Sequence, residues 1–206
     1  MPTGDLDAEL LSPPARVIGR RRLVDRFVRL DVVDVELLRR DGSRVVVERD
    51  IHDHGNAVAV LPYDPVRQTV VLVRQLRVPL LLAGEGDGTL VEVPAGLINA
   101  GENAATAAMR EVREEVGLDL QNLEWIGEVY ASPGALTEKV TLYLAHYISG
   151  NHIAAYGGLA DEEEDIEILE WPIAHFRAAI DGGGIRCAKT MLLGLALRLR
   201  RPDLFG

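Results

Sequence analysis

A single cysteine, Cys187, occurs among the 206 residues. That excludes an intramolecular disulfide and a zinc site built from cysteines. No apolar run approaches the ~20 residues of a membrane-spanning helix. The opening stretch, MPTGDLDAELLSPPAR, lacks a basic segment followed by an apolar core. It does not read as a secretory signal, and the expected compartment is the cytoplasm. Positive charge is also scarce: 22 Lys and Arg stand against 32 Asp and Glu, for a net charge of −10. A broad nucleic-acid surface needs basic side chains along the phosphates, and this balance argues against one. A small anionic substrate stays open, because a bound metal can supply local positive charge. No internal repeat is visible.

What is present is ordinary for a soluble globular chain: 48% hydrophobic and 26% charged residues. The length allows one sizeable core with a small appendage. Residues 1 to 15, with Pro2, Gly4, Pro13 and Pro14, read as a flexible leader. RFVRLDVVDVELL and SRVVVERDI read as two strands around Asp41-Gly42, a strong hairpin signal, and RRRLVDR as a third. AVAVLP and TVVLVRQ follow as buried strands separated by a turn at Tyr63-Asp64-Pro65. After the loop AGEGDG come a short strand LVEVP, a central helix, and the strands LEWIGEVY, KVTLYLAHYI and IEILEW. PIAHFRAAIDGG and CAKTMLLGLALRLRR read as closing helices. The pattern is α+β, or mixed α/β.

The informative stretch is GLINAGENAATAAMREVREEVGL, Gly96 to Leu118. Gly96, Asn99 and Gly101 mark a loop. Asn103 is a candidate helix N-cap and Gly117 a C-terminal stop. Ala105, Ala108, Met109, Val112 and Val116 form an expected apolar stripe. Glu111, Glu114 and Glu115 share another face, because residues three and four apart are neighbours on a helix. Acidic helix faces are most often simply solvated. Three crowded carboxylates beside a glycine loop also suit a hard divalent cation, Mg²⁺ or Mn²⁺, which bridges readily to phosphate.

Nine positions decide between these readings: Gly96, Glu102, Arg110, Glu111, Val112, Glu114, Glu115, Gly117 and Leu118. They follow the pattern G-x5-E-x7-R-E-U-x-E-E-x-G-U, with U a bulky aliphatic, and the stretch resembles the Nudix box. The resemblance implies a Nudix fold, an α-β-α sandwich around a mixed sheet, in a catalytic domain over residues 55–206. Residues 1–54 would be an added leader and antiparallel sheet serving dimerisation and substrate contact. Glu111, Glu114 and Glu115 would be the metal-binding face, and Glu102 and Arg110 an ion pair fixing the loop on the helix.

Similarity extends beyond the box. Pro133 lies sixteen residues after Gly117, and VLVRQLRV, EVPAGLI and the tail EDIEILEWP…GGGIRCAKTMLL resemble the ADP-ribose pyrophosphatase group. The loop AAYGGLADEEEDIEILE and the hairpin before Gly55-Asn56 resemble its GDP-mannose hydrolase branch. This implies Mg²⁺-dependent hydrolysis of a nucleoside diphosphate sugar, such as GDP-mannose or ADP-ribose, by a homodimer.

Position by position, the resemblance implies that Ala95 offers its carbonyl to metal within a substrate-lining segment Ala95, Gly96 and Leu97. Glu111 and Glu115 become principal ligands. Glu164 becomes a further ligand or the base, with Glu138 its rival; equally, Glu164 belongs to an acidic run that is ordinarily just solvated. Arg77 would contact the diphosphate, with Arg74 beside it, and Arg49 would reach a partner's site. Phe27 stands where that branch has a tyrosine stacking on the base, and fits core or dimer packing equally. His52 and His54 read as surface histidines. Cys187, at a helix start, reads as buried. The alternatives are a broad dinucleotide pyrophosphatase, or a sensor that binds ADP-ribose or NAD-like ligands without cleaving them.

Overall fold

The computed structural model describes residues 15–120, 122–147, 155–158 and 165–206. The leader before residue 15, His152 and the acidic run through Glu164 lie outside the described residues. The chain divides into two compact units. The first runs to His54 and also takes in Ser132–Glu138; the second is Gly55–Ala131 with Lys139–Gly206.

The first unit is a three-stranded antiparallel sheet, β1 (Ala15–Asp25), β2 (Arg29–Leu38) and β3 (Arg44–Asp53). The β2–β3 hairpin turns where Asp-Gly predicts, and Asp41 accepts hydrogen bonds from the Ser43 amide (2.9 Å) and hydroxyl (2.6 Å). The third strand starts at Ala15, earlier than RRRLVDR suggests. Ser132–Glu138 docks on the end of β3: the His52 amide donates to the Ala135 carbonyl, and Thr137 donates back to His52.

One buried charge ties β1 to β2. Asp31 is 1% exposed, and it accepts from Arg20 Nε and Arg22 Nε, each at 2.9 Å. The Arg22 guanidinium first, and Arg20 second, hold its carboxyl down at about 2. An unfolded aspartate titrates near ~3.9, so the folded value is depressed. The stabilisation is therefore complete above the unfolded value and is lost as pH falls toward the folded one. Asp31→Asn is expected to lower the melting temperature at neutral pH. That deficit should shrink as the wild type is acidified from pH 4 toward 2, and parallel melting curves across that range would contradict it.

The second unit is built on β4 (Ala57–Asp64), β5 (Thr69–Leu76), β8 (Leu123–Tyr130), β9 (Lys139–His146), β10 (Tyr156–Gly157) and β11 (Ile166–Pro172). They form a mixed sheet whose main path runs β10, β11, β5, β4, β9, β8. Two short strands, β6 (Thr89–Glu92) and β7 (Ala95–Leu97), pair with β5 and β4. β4 and β9 are parallel, and β4 is buried along its whole length, as its unbroken apolar run demands. Helix α2 (Ala104–Val116) covers one face through Ala107, Ala108, Val112 and Val116, over Val58, Val60, Val71 and Val73. Helices α3 (Ile173–Asp181) and α4 (Ala188–Arg200) cover the other, with Phe176, Leu193 and Leu197 on Leu61, Leu72 and Leu144. This is the expected α-β-α sandwich.

Local expectations need four corrections. β4 continues through Tyr63 and Asp64, and the turn starts at Pro65, where the Asp64 side chain accepts from the amides of Val66 and Arg67. A short helix α1 (Val78–Leu82) precedes the glycine-rich loop, with Pro79 in its first turn, where a missing amide is tolerated. α2 buries Ala108, Val112 and Val116 as expected, but its stripe is shifted: Met109 is exposed and Ala105 half-buried, while Ala107 and Glu115 face inward. Hydrophobicity alone would not turn a glutamate inward; the Ala95 amide does, by donating to it. His52 and His54 are half-buried rather than exposed.

Candidate active site

The site is assembled where β7 meets α2. Asn103 caps the helix, its side chain accepting from the Thr106 amide at 2.9 Å, and Gly117 ends it in the left-handed conformation at φ 68°. The loop between is fastened by one residue. Arg110 donates from Nε and Nη2 to Glu102 (3.1 and 3.0 Å), and from Nη2 to the Leu97 carbonyl (2.9 Å). Its Nη1 donates to both Glu111 and Glu114, each at 2.8 Å. Glu102 also accepts the Asn99 amide at 3.1 Å. The guanidinium holds Glu102 below the usual carboxylate range, and Glu102 in turn pushes Arg110 further up. The expected Glu102–Arg110 pair therefore forms, and it also spans the acidic face.

Glu115 is 2% exposed, and its Oε2 accepts from the Ala95 amide at 3.1 Å. Gly96 abuts Glu111 so closely that a Cβ there would overlap the Glu111 carboxylate. This cradle, not backbone freedom, is why the position is glycine. One guanidinium cannot neutralise Glu102, Glu111, Glu114 and Glu115 together. A rigid helix therefore presents an excess of hard oxygen donors, the donor set that suits Mg²⁺. Among the described residues no three acidic, histidine or cysteine side chains converge to form a closed metal cluster by themselves.

The other sequence-predicted residues fall into two groups. Arg74 and Arg77 belong to the second unit and line a cleft of about 740 Å³, together with Thr89, Tyr156 and Glu167. Arg74 pairs with Glu167 (Nε–Oε2 2.6 Å), and Arg77 with the buried Glu92 (Nε–Oε2 2.5 Å). The backbone beside Tyr156 is tied to the helix, the Gly158 amide donating to the Glu114 carbonyl at 3.3 Å. Phe27, Arg49 and Glu138 belong to the first unit. Phe27 is 77% exposed, its ring stacked 6.5 Å from that of His54. Arg49 is exposed and donates to the Glu48 carbonyl. Glu138 is half-buried, and His54 Nε2 lies 3.5 Å from its Oε1. Glu164 lies outside the described residues.

His54, whose H-x-H spacing with His52 resembles a metal pair but which reads as a surface histidine, reaches Glu138, and its Nδ1 lies 3.2 Å from His52 Nε2. Two further residues carry little signal in the sequence. Glu92 could have been noticed as a charge inside the apolar string LVEVP. Tyr156 had no signal, since a lone tyrosine in a glycine-rich loop is unremarkable. Cys187 is buried as expected, its thiol 3.2 Å from Glu92.

The NUDIX domain family matches residues 53–177. The chain is 36% identical over 183 residues to the GDP-mannose pyrophosphatase of Salmonella typhimurium, covering 89% of this chain and 94% of that protein. It is 36% identical over 190 residues to the GDP-mannose pyrophosphatase of Cronobacter sakazakii, covering 92% and 98%. Among solved structures, one described as an ADP compounds hydrolase superposes with a TM-score of 0.70 over 94% of this chain and 96% of that one, at 22% identity, a likeness of fold. With its glycine cradle, its guanidinium clasp and its helix-borne carboxylates in place, the chain belongs to the Nudix family.

Proposed function

We propose that this protein hydrolyses the diphosphate of a nucleoside diphosphate sugar, GDP-mannose or ADP-ribose, to a nucleoside monophosphate and a sugar phosphate. The observation that carries the reading is the acidic face of α2, held by Arg110 and seated against Gly96. The chain-long identity to GDP-mannose pyrophosphatases favours that sugar nucleotide first.

A diphosphate is kinetically inert because its negative charge repels nucleophiles. Hydrolysis forms a bond from water oxygen to one phosphorus, breaks that phosphorus's bond to the bridging oxygen, and removes a proton from the water. Glu111, Glu114, Glu115 and the Ala95 carbonyl would hold Mg²⁺, which when bound supplies charge neutralisation and a more acidic water. Arg77, with Arg74 beside it, binds the diphosphate oxygens from the cleft wall. The water proton passes to Glu164 or to Glu138. For Glu138, the neighbouring His54 imidazole keeps the carboxylate oriented. Phe27 offers a flat apolar face for the base.

The direct test is release of products from GDP-mannose and ADP-ribose, side by side, with and without Mg²⁺. GMP with mannose 1-phosphate, formed faster than the ADP-ribose products, is the expected outcome. Binding of either compound without cleavage would replace the enzyme with a sensor.

The protein is further proposed to act as a homodimer through its first unit. Nearly every residue of β1 is exposed, including Val17 and Leu23, and β3 adds Val46. A three-stranded sheet with this much open apolar surface gains its burial from another subunit. In that arrangement Arg49 would serve the partner's site. Removing residues 1–50 is expected to give a monomer or insoluble protein by light scattering. A stable, fully active monomer would rule the arrangement out.

A further inference from the structure

Glu92 is a buried carboxylate, 3% exposed, at the foot of Arg77. A buried carboxylate is costly unless it is paired, and this one is paired on every side. Oε2 receives Arg77 Nε at 2.5 Å. Oε1 lies 3.6 Å from Lys189 Nζ and 3.2 Å from the Cys187 thiol, both at the start of α4. Next to it, the Val93 amide donates to the Thr190 hydroxyl at 2.9 Å, fixing the strand end to the same helix. Pro94 then leads straight into Ala95 and Gly96.

This geometry leaves Arg77 in a particular state. Among the described residues, its only side-chain hydrogen bond runs from Nε to Glu92. The side chain is 37% exposed and lines the cleft. A guanidinium gripped by Nε keeps both terminal nitrogens, the edge that makes forked contacts to phosphate oxygens, clear of its anchor. Had Glu92 taken that terminal edge, Arg77 would be closed to an anion. Charge points the same way. Glu92 alone would cancel Arg77, but Lys189 on its other oxygen leaves the cluster with surplus positive charge. Arg74 differs, since its partner Glu167 contacts both Nε and Nη2.

We propose that Glu92 is a positioning residue: it holds Arg77 by Nε so that the terminal guanidinium edge is presented to a phosphate-bearing substrate in the cleft. The inference rests on the hydrolase reading above. A purely structural Glu92, which only ties α4 to the sheet, would lower activity irrespective of what stands at position 77.

A double-mutant cycle separates the two. kcat/KM for GDP-mannose is measured for wild type, Glu92→Leu, Arg77→Gln and the double variant. Leucine cannot accept from Arg77 Nε, so loss of orientation predicts that Glu92→Leu falls by about tenfold or more, the scale for a misplaced contact. In the Arg77→Gln background the same change should cost less than about twofold, because coupled residues are not additive. Equal losses in both backgrounds would overturn the proposal.

Arg77→Lys keeps the charge and lacks Nε, so it should lose about as much as Arg77→Gln; near wild-type turnover would overturn the proposal as well. That variant decides the matter if Glu92→Leu does not fold. Inorganic pyrophosphate affinity, measured by calorimetry in EDTA, distinguishes the two levels. If the wild type binds pyrophosphate but cleaves neither sugar nucleotide, the hydrolase reading falls and the cycle is read on pyrophosphate affinity. If it does neither, both readings fall.

Discussion

Glu115→Gln is expected to lower kcat by about two or more orders of magnitude, the scale for removing a principal electrostatic group from a reacting centre. Glu115 is buried, and its Oε2 accepts from the Ala95 amide. The glutamine carbonyl can accept that same bond, so the seating of β7 on α2 survives while the negative charge disappears. Turnover of GDP-mannose with saturating Mg²⁺ should collapse while the melting temperature changes little. A variant that turns over near the wild-type rate would remove Glu115 from the metal-holding set. A variant that also unfolds would show that the charge is needed for packing, and the isosteric argument would be wrong.

The second large effect is expected at Gly96. Gly96→Ala places a methyl group on the Glu111 carboxylate. The chain can answer in two ways. Glu111 can swing away, releasing its hydrogen bond from Arg110, or β7 can move off the helix and disturb its pairing with β4 at Val58. Either displaces a donor by the order of an ångström, and a shift of that size costs about 100-fold in rate. kcat/KM should therefore fall by about that factor, more steeply than stability does. Unchanged kinetics would mean that Gly96 is open space in solution and that the cradle does not exist.

These two sites differ in how far the linear chain discloses them. Glu115 is visible as a chemical type at a helical spacing, and the nine-position pattern singles it out. What spacing could not say is that Glu115 points inward. Helical periodicity puts the buried arc of α2 on Ala105, Ala108, Met109, Val112 and Val116, of which Ala108, Val112 and Val116 are buried, and it leaves Glu115 out because glutamate is normally excluded from a core. The Ala95 amide, twenty residues earlier in sequence, reverses that preference by offering a hydrogen bond. Gly96 is legible as a loop glycine, yet its reason is a steric one across the β7–α2 junction. α1, a helix of five residues, has too few positions to show a period in the sequence.

The sequence by itself determined the family, the order and kind of most elements, the hairpin at Asp41-Gly42, the capped central helix and the Glu102–Arg110 clasp. All of these depend on local spacing, turn chemistry or one contiguous motif, and local rules are written in neighbouring residues. The tertiary structure alone decided that Glu115 joins the buried face of α2. It alone decided that Arg77 is gripped by Nε on Glu92, that Cys187 and Lys189 converge on the same carboxylate, and that His54 meets Glu138. Those pairings join residues that lie far apart in the chain. Their partners are chosen by how strands register and helices dock, which no window of sequence contains.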